Sequence, residues 1–178
     1  FENRVYEGMD AFLASQLNKE RKLYVATSKP EVFARQILEH FKLDGYFTYI
    51  GGSTLDGSRS SKTDVIRYVM DVNGLDDNQA VVMIGDRKHD MVGAGNNGID
   101  AIGVLYGYGD EEELRSAGAS YIAASVEDLE AMLSGTDGAS IDKIEIISNP
   151  SSKYDASGSG GIINIKTKGS SDKCVVNS

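Results

Sequence analysis

Val-Val-Met-Ile-Gly-Asp-Arg-Lys-His-Asp, residues 81–90, is an apolar run that ends in glycine and delivers two carboxylates, Asp86 and Asp90, four residues apart. A short, continuous apolar run bounded in this way reads as a buried strand, of the kind found in a parallel sheet covered on both faces. In an open α/β sheet, ligands sit just beyond the carboxyl ends of the strands. Asp86 and Asp90 therefore stand where a hard cation such as Mg²⁺ would be held by a few carboxylates and several waters. A metal-assisted reaction is the first expectation.

Outward from that strand, helical and extended patterns alternate. Met9, Phe12, Leu13 and Leu17 recur at helical spacing, and residues 22–27 read as a short buried strand. Pro30 and Glu31 open a second helix, with Val32, Phe33, Ile37 and Phe41 expected inward, since proline suits a first helical turn. A strand is expected at 46–50, a loop at 51–60, and then a helix with Val65, Ile66, Val69 and Met70 inside. After the 80–84 strand come a helix beyond Lys88, a strand at 101–104, a helix at 111–115 and a last helix at 126–133. Ser125 and Asp128 are spaced as a capping box for that last helix. Such alternation predicts an α/β, three-layer, Rossmann-like parallel sheet.

Composition narrows the function. A chain of 178 residues with 40% hydrophobic content can bury one good core. Net charge −9 and the lack of a basic cluster argue against nucleic acid as a partner. One cysteine, Cys174, forms no internal disulfide, and two histidines, His40 and His89, are too few for a zinc site. A reducing, cytoplasmic setting is expected, with no membrane span, because no apolar run reaches about 18 residues.

The other strand ends suit a phosphate. Thr27 and Ser28 offer hydroxyls and backbone N–H groups ahead of a helix start, where an anion is favoured. Lys62, at the mouth of the helix after the 51–60 loop, is placed to neutralise that anion and orient a carboxylate nucleophile. Taken singly, each has a plainer reading as a helix start, a solvated lysine or a turn aspartate. Their order and spacing together favour a site for a small phosphorylated metabolite and Mg²⁺.

That order resembles the haloacid dehalogenase superfamily, and within it the bacterial phosphoglycolate-phosphatase-like branch. The likeness runs from about residue 6 to residue 133. Leu-Tyr-Val-Ala-Thr-Ser-Lys-Pro (23–30) looks like the second motif of the family, Ser-Ser-Lys-Thr-Asp-Val-Ile (60–66) like the third, and the stretch 83–98 like the fourth. The resemblance implies that Thr27 binds the transferring phosphoryl group with Ser28 and Lys29 beside it. It further implies that Lys62 stabilises its charge, that Asp86 ligates Mg²⁺ with Asp90 in support, and that Asn96 stands behind them.

One part of the family pattern is absent from this sequence. Members carry an apolar first strand ending in a DxDG-type motif, whose first aspartate attacks phosphorus and whose second serves as acid and base. The nearest string, Leu55-Asp56-Gly57-Ser58, has Thr54 where a partnering aspartate belongs and follows no apolar strand end. Asp56 is accordingly read as a loop residue. The expected architecture is the family core lacking its first strand and its cap, and the expected consequence is a chain inactive on its own. A missing central strand leaves unpaired backbone edges, to be filled by the carboxy-terminal segment, by a partner chain, or not at all.

The core is expected over 1–134, a linker over 135–139, a β-hairpin segment over 140–168 and a polar, disordered tail over 169–178. The segment 140–168, with alternating strands at 141–147 and 161–166 around a Ser, Gly and Asn-rich loop, resembles the end of the plug domain of TonB-dependent outer-membrane receptors. That likeness makes a fusion one alternative for the chain, and a non-catalytic Mg²⁺- and phosphate-binding module another.

Overall fold

The computed structural model describes residues 8–18, 22–134 and 144–147. Strands and helices alternate as α1 (Met9–Asn18), β1 (Leu23–Pro30), α2 (Glu31–His40), β2 (Tyr49–Ser53), α3 (Lys62–Val72), β3 (Val81–Gly85), α4 (Lys88–Asn96), β4 (Asp100–Val104), α5 (Glu111–Ser116), β5 (Tyr121–Ala123), α6 (Val126–Ser134) and β6 (Ile144–Ile147). All six strands are parallel in one sheet of order β2-β1-β6-β3-β4-β5.

The two-residue period of the strands sorts the core into two halves. Leu23, Val25, Val82 and Ile84 face Met9, Phe12, Leu13, Leu38 and Leu129, so α1, α2 and α6 cover that side. Tyr24, Ala26, Val81 and Met83 face Val65, Ile66, Val69, Met91 and Leu114, so α3, α4 and α5 cover the other. Every residue from Val81 to Ile84 is fully buried, which explains why the decisive stretch carries no polar alternation.

Four local readings change. β1 continues three residues past Thr27 to Pro30, because a residue before proline is pushed to extended geometry. The helix that follows starts at Glu31 with Pro30 before it, as the proline placement predicts. Val32 and Phe33 point outward at 47% and 48% exposure, while Ala34, Ile37 and Leu38 form the buried stripe of α2. β2 begins at Tyr49 and runs through Gly51 and Gly52, which sequence alone places in a loop. A Cβ on Gly52 would lie 2.6 Å from the Lys29 carbonyl oxygen, so glycine permits that close pairing with β1. β5, three residues long, is too short to leave a periodic signal.

The carboxy-terminal segment enters the gap foreseen at the centre of the sheet. Ile144–Ile147 pairs with Leu23–Val25 on one side and Val81–Ile84 on the other. The remainder of 140–168, the linker and the tail lie outside the described residues. No helix among the described residues is long and apolar enough to cross a membrane.

Candidate active site

The carboxyl ends of β1 and β3 bracket the site. Val25 and Ile84 both register with Ile147, and Thr27 and Asp86 each lie two residues further on. Two strand spacings separate them, roughly 10 Å.

Thr27 is fully buried, and its Oγ1 accepts a hydrogen bond from the Lys29 backbone N–H at 3.2 Å. Ser28 and Lys29 follow, half-buried, in the extended end of β1. Lys62 opens α3, whose start is capped by Ser61 accepting from the Asp64 N–H at 3.1 Å. That cap turns the first helical residue inward, and Lys62 is 5% exposed. Its Nζ is paired with Asp90 Oδ1. The other oxygen of Asp90 accepts from the Arg87 backbone N–H at 3.2 Å. Both Asp90 oxygens are thus committed, one to Lys62 and one to the turn that carries Asp86.

Asp86 follows β3 directly and has no exposure. Its Oδ2 accepts from the Tyr108 N–H at 2.7 Å, and its backbone carbonyl accepts from the Gly109 N–H at 2.9 Å. Oδ1 is buried with no hydrogen-bond partner among the described residues. Burial pushes the Asp86 carboxyl up to about 7, and the neighbouring Asp90 charge adds to that rise. The Tyr108 N–H and Lys62 pull it back. A buried carboxyl with one unsatisfied oxygen requires a proton or a cation.

Mg²⁺ fits that need. Asp86 Oδ1 is the carboxylate oxygen the described residues leave unpartnered and could hold the ion, since Mg²⁺ needs only one or two protein carboxylates because it keeps its waters. No group of three His, Cys, Asp or Glu able to hold a metal occurs among the described residues, so a fully protein-ligated cage is absent from that part. The formal charges of Asp86, Asp90 and Lys62 sum to −1, which a divalent cation reverses to favour an anionic substrate.

Sequence reading missed the residues that lock this turn. Glu113 Oε2 accepts from Arg87 Nε at 2.9 Å and from the Lys88 N–H at 2.8 Å. Glu113 is itself set by Asp110, the N-cap of α5, which accepts the Glu113 N–H at 2.8 Å. The Asp-x-x-Glu spacing is a helix-start signal but does not say which loop the acid will reach. Two glycines allow the close packing. A Cβ on Gly107 would lie 2.3 Å from Asp86 Oδ2, and one on Gly85 2.1 Å from Asp90 Oδ2. Asn96, expected behind the site, bonds Thr63 Oγ1 at 3.0 Å, and the buried Asn97 ties α4 to the Thr63 carbonyl at 3.0 Å. Asp56 is exposed, and its carboxylate is held down at about 2 by the N–H of Ser58 and by the Thr54 and Ser58 hydroxyls. It stays a turn residue. Beside it, between the end of β2 and the start of α2, a cavity of about 410 Å³ is lined by Glu31, Asp56, Arg59 and Tyr68 among others. The Arg59 guanidinium sits 3.6 Å from the Tyr68 ring centroid and pairs with Glu31 at 3.4 Å.

A parallel Rossmann-like sheet carrying a threonine, a buried lysine and a Gly-Asp turn on its carboxyl edge is the core of a haloacid dehalogenase-like hydrolase. The sequence pattern of that family matches residues 2–104, and the chain belongs to it. It is 45% identical over 133 residues to a 5'-nucleotidase of Pseudomonas aeruginosa, covering 75% of this chain and 60% of that protein. It is 37% identical over 134 residues to the tyrosine-protein kinase PtkA of Mycobacterium tuberculosis, covering 74% and 45%. The crystal structure of a predicted phosphatase from Clostridium acetobutylicum superposes with a TM-score of 0.69 at 51% identity, covering 71% of this chain and 58% of that one. The chain spans at most about three fifths of the length of these three proteins.

Proposed function

We propose that this chain is the partial core of a Mg²⁺-dependent phosphatase that hydrolyses small phosphomonoesters through an aspartyl-phosphate. The observation that carries the reading is the buried Asp86 with its unused Oδ1, held beside the Lys62–Asp90 pair. Asp86 holds Mg²⁺. Asp90 holds Lys62 in place, and Lys62 offsets the charge of the phosphoryl group. Thr27 and Ser28 donate to its oxygens from the end of β1. When bound, Mg²⁺ supplies Lewis-acid neutralisation of the phosphoryl oxygens. The phosphoglycolate-phosphatase-like assignment rests on motif spacing, and the name of the Pseudomonas relative adds nucleoside monophosphates to the esters worth testing.

The sequence contains no DxDG motif after an apolar strand, which favours a second reading: a non-catalytic module that binds Mg²⁺ and phosphate but does not turn over. A partner segment bringing the attacking carboxylate restores the first reading. Calorimetry of the 178-residue chain with Mg²⁺ and inorganic phosphate should show binding that Asp86→Ala removes, and its absence in the parent chain rejects both readings. Mg²⁺-dependent hydrolysis of phosphate esters by the chain alone, abolished in Asp86→Ala, would instead reveal an attacking group within it. The plug-like resemblance of 140–168 supports a fusion, tested by sequencing the genomic region across codons 134–144.

A further inference from the structure

Two Asn-Gly dipeptides share one backbone conformation and differ in their surroundings. α3 is capped by Asn73 at φ −101°, ψ 5°, and α4 by Asn97 at φ −100°, ψ 4°. Each is followed by a glycine in the left-handed region, Gly74 at φ 66° and Gly98 at φ 74°, where the lack of a Cβ removes the strain. The same bareness leaves the glycine nitrogen unshielded from the preceding side-chain amide, the arrangement that makes Asn-Gly prone to intramolecular deamidation. Asn73 is half-buried, and its Nδ2 donates to the Val69 carbonyl of its own helix at 2.8 Å. Asn97 is 2% exposed, and its Nδ2 donates to the Gly93 carbonyl at 2.9 Å and across to the Thr63 carbonyl of α3 at 3.0 Å. Asn78 Nδ2 donates to the Asn97 backbone carbonyl at 3.3 Å, and the Gly98 N–H to Gly95 at 3.0 Å. Thr63 follows Lys62, and Asp90 lies in the first turn of α4, so this tie joins the two helices that carry the Lys62–Asp90 pair.

We propose that Asn97-Gly98 is a latent deamidation site, shut while α4 is docked on α3 and opened when the two helices part. In the step, the Gly98 nitrogen gives its proton to solvent and bonds to Asn97 Cγ. The Cγ–Nδ2 bond breaks, Nδ2 takes a proton and leaves as ammonia, and a succinimide ring remains. Water then opens the ring to aspartate or isoaspartate at 97. A helix end frays at little cost, which exposes Asn73, whereas freeing Asn97 requires the α3–α4 contact to open. The product carries a carboxylate where a donor amide stood, turned toward the Thr63 and Gly93 carbonyl oxygens, and burying it there is unfavourable. One opening event followed by reaction therefore leaves a lasting chemical mark and prevents the helices from docking as before.

The test incubates the full 178-residue chain in mildly alkaline buffer, folded and in concentrated urea, and follows deamidation at 73 and 97 by peptide mass spectrometry. The ratio of the unfolded to the folded rate is the protection at each site, and Asn73 serves as the internal control of equal backbone geometry. Both sites should react at similar rates in urea, with protection at Asn97 at least roughly tenfold greater than at Asn73. Asn97→Asp, which installs the product, should lower the melting temperature or prevent folding, while Asn73→Asp should melt close to the parent. The rate comparison stands whether or not Asn97→Asp folds. Equal protection at the two sites, including no detectable reaction at either in the folded chain, overturns the proposal. So does a slow Asn97 that stays slow in urea, or an Asn97→Asp chain that melts like the parent.

Discussion

Asp86 shows at the scale of one side chain why this site asks for a cation. Its folded pKa is raised to about 7, mainly by burial, against an unfolded value of about 3.9. The folded protein thus retains a proton that the unfolded chain has already released. The stability this group contributes is full below about pH 4 and is lost as pH rises to about 7. Urea melts in chelator at pH 5 and pH 7.5 should therefore differ between the parent and Asp86→Asn, with the variant gaining relative stability at the higher pH. Adding Mg²⁺ should remove that difference in the parent alone. Lys62 gives a second test. Removing it strands Asp90 in a buried site, and Lys62→Met should cost about 3–5 kcal/mol in denaturant melts, an effect that Asp90→Asn should partly rescue. Gly107→Ala gives a third, since its Cβ would strike Asp86 Oδ2. We expect about 1–3 kcal/mol of destabilisation and loss of Mg²⁺ binding by calorimetry. The residue types at 27, 62, 86 and 90 were legible in the sequence because they lie late in β1, at the start of α3, just past β3 and in the first turn of α4. Which oxygen of which aspartate was left unused was not, because that depends on Tyr108 and Lys62 arriving from other segments.

At the scale of elements, α5 and its cap do work that helix prediction does not express. Asp110 starts the helix, the helix presents Glu113, and Glu113 ties down the Arg87–Lys88 backbone. Glu113→Gln keeps the shape but weakens the acceptor. It should leave melting nearly unchanged while weakening Mg²⁺ binding several-fold by calorimetry, a split that a purely structural role would not produce. Helices and strands with long apolar faces were readable from period alone, as α3 and β3 show. The readings that changed were short or special: β5 has three residues, β2 runs through two glycines, and α2 turns Val32 and Phe33 to solvent. In each, packing against a neighbour outweighed the local pattern.

For the whole molecule, the order β2-β1-β6-β3-β4-β5 makes the integrity of the sheet depend on four residues near the end of its described span. Ile146→Pro removes a ladder donor from the central strand and should lower the melting temperature sharply, with loss of cooperativity between the two half-sheets in hydrogen exchange. The sequence by itself determined the alternation of strand and helix, the two-sided burial of β3, and a carboxyl edge rich in phosphate- and cation-seeking groups. Those follow from periodicity and from what each residue type can do. Only the tertiary structure decided that Ile144–Ile147 enters between β1 and β3, that Asp90 is spent on Lys62, and that Asp86 keeps an oxygen in reserve. Strand order and hydrogen-bond partners are settled by contacts between residues far apart in the chain, and no local pattern encodes them.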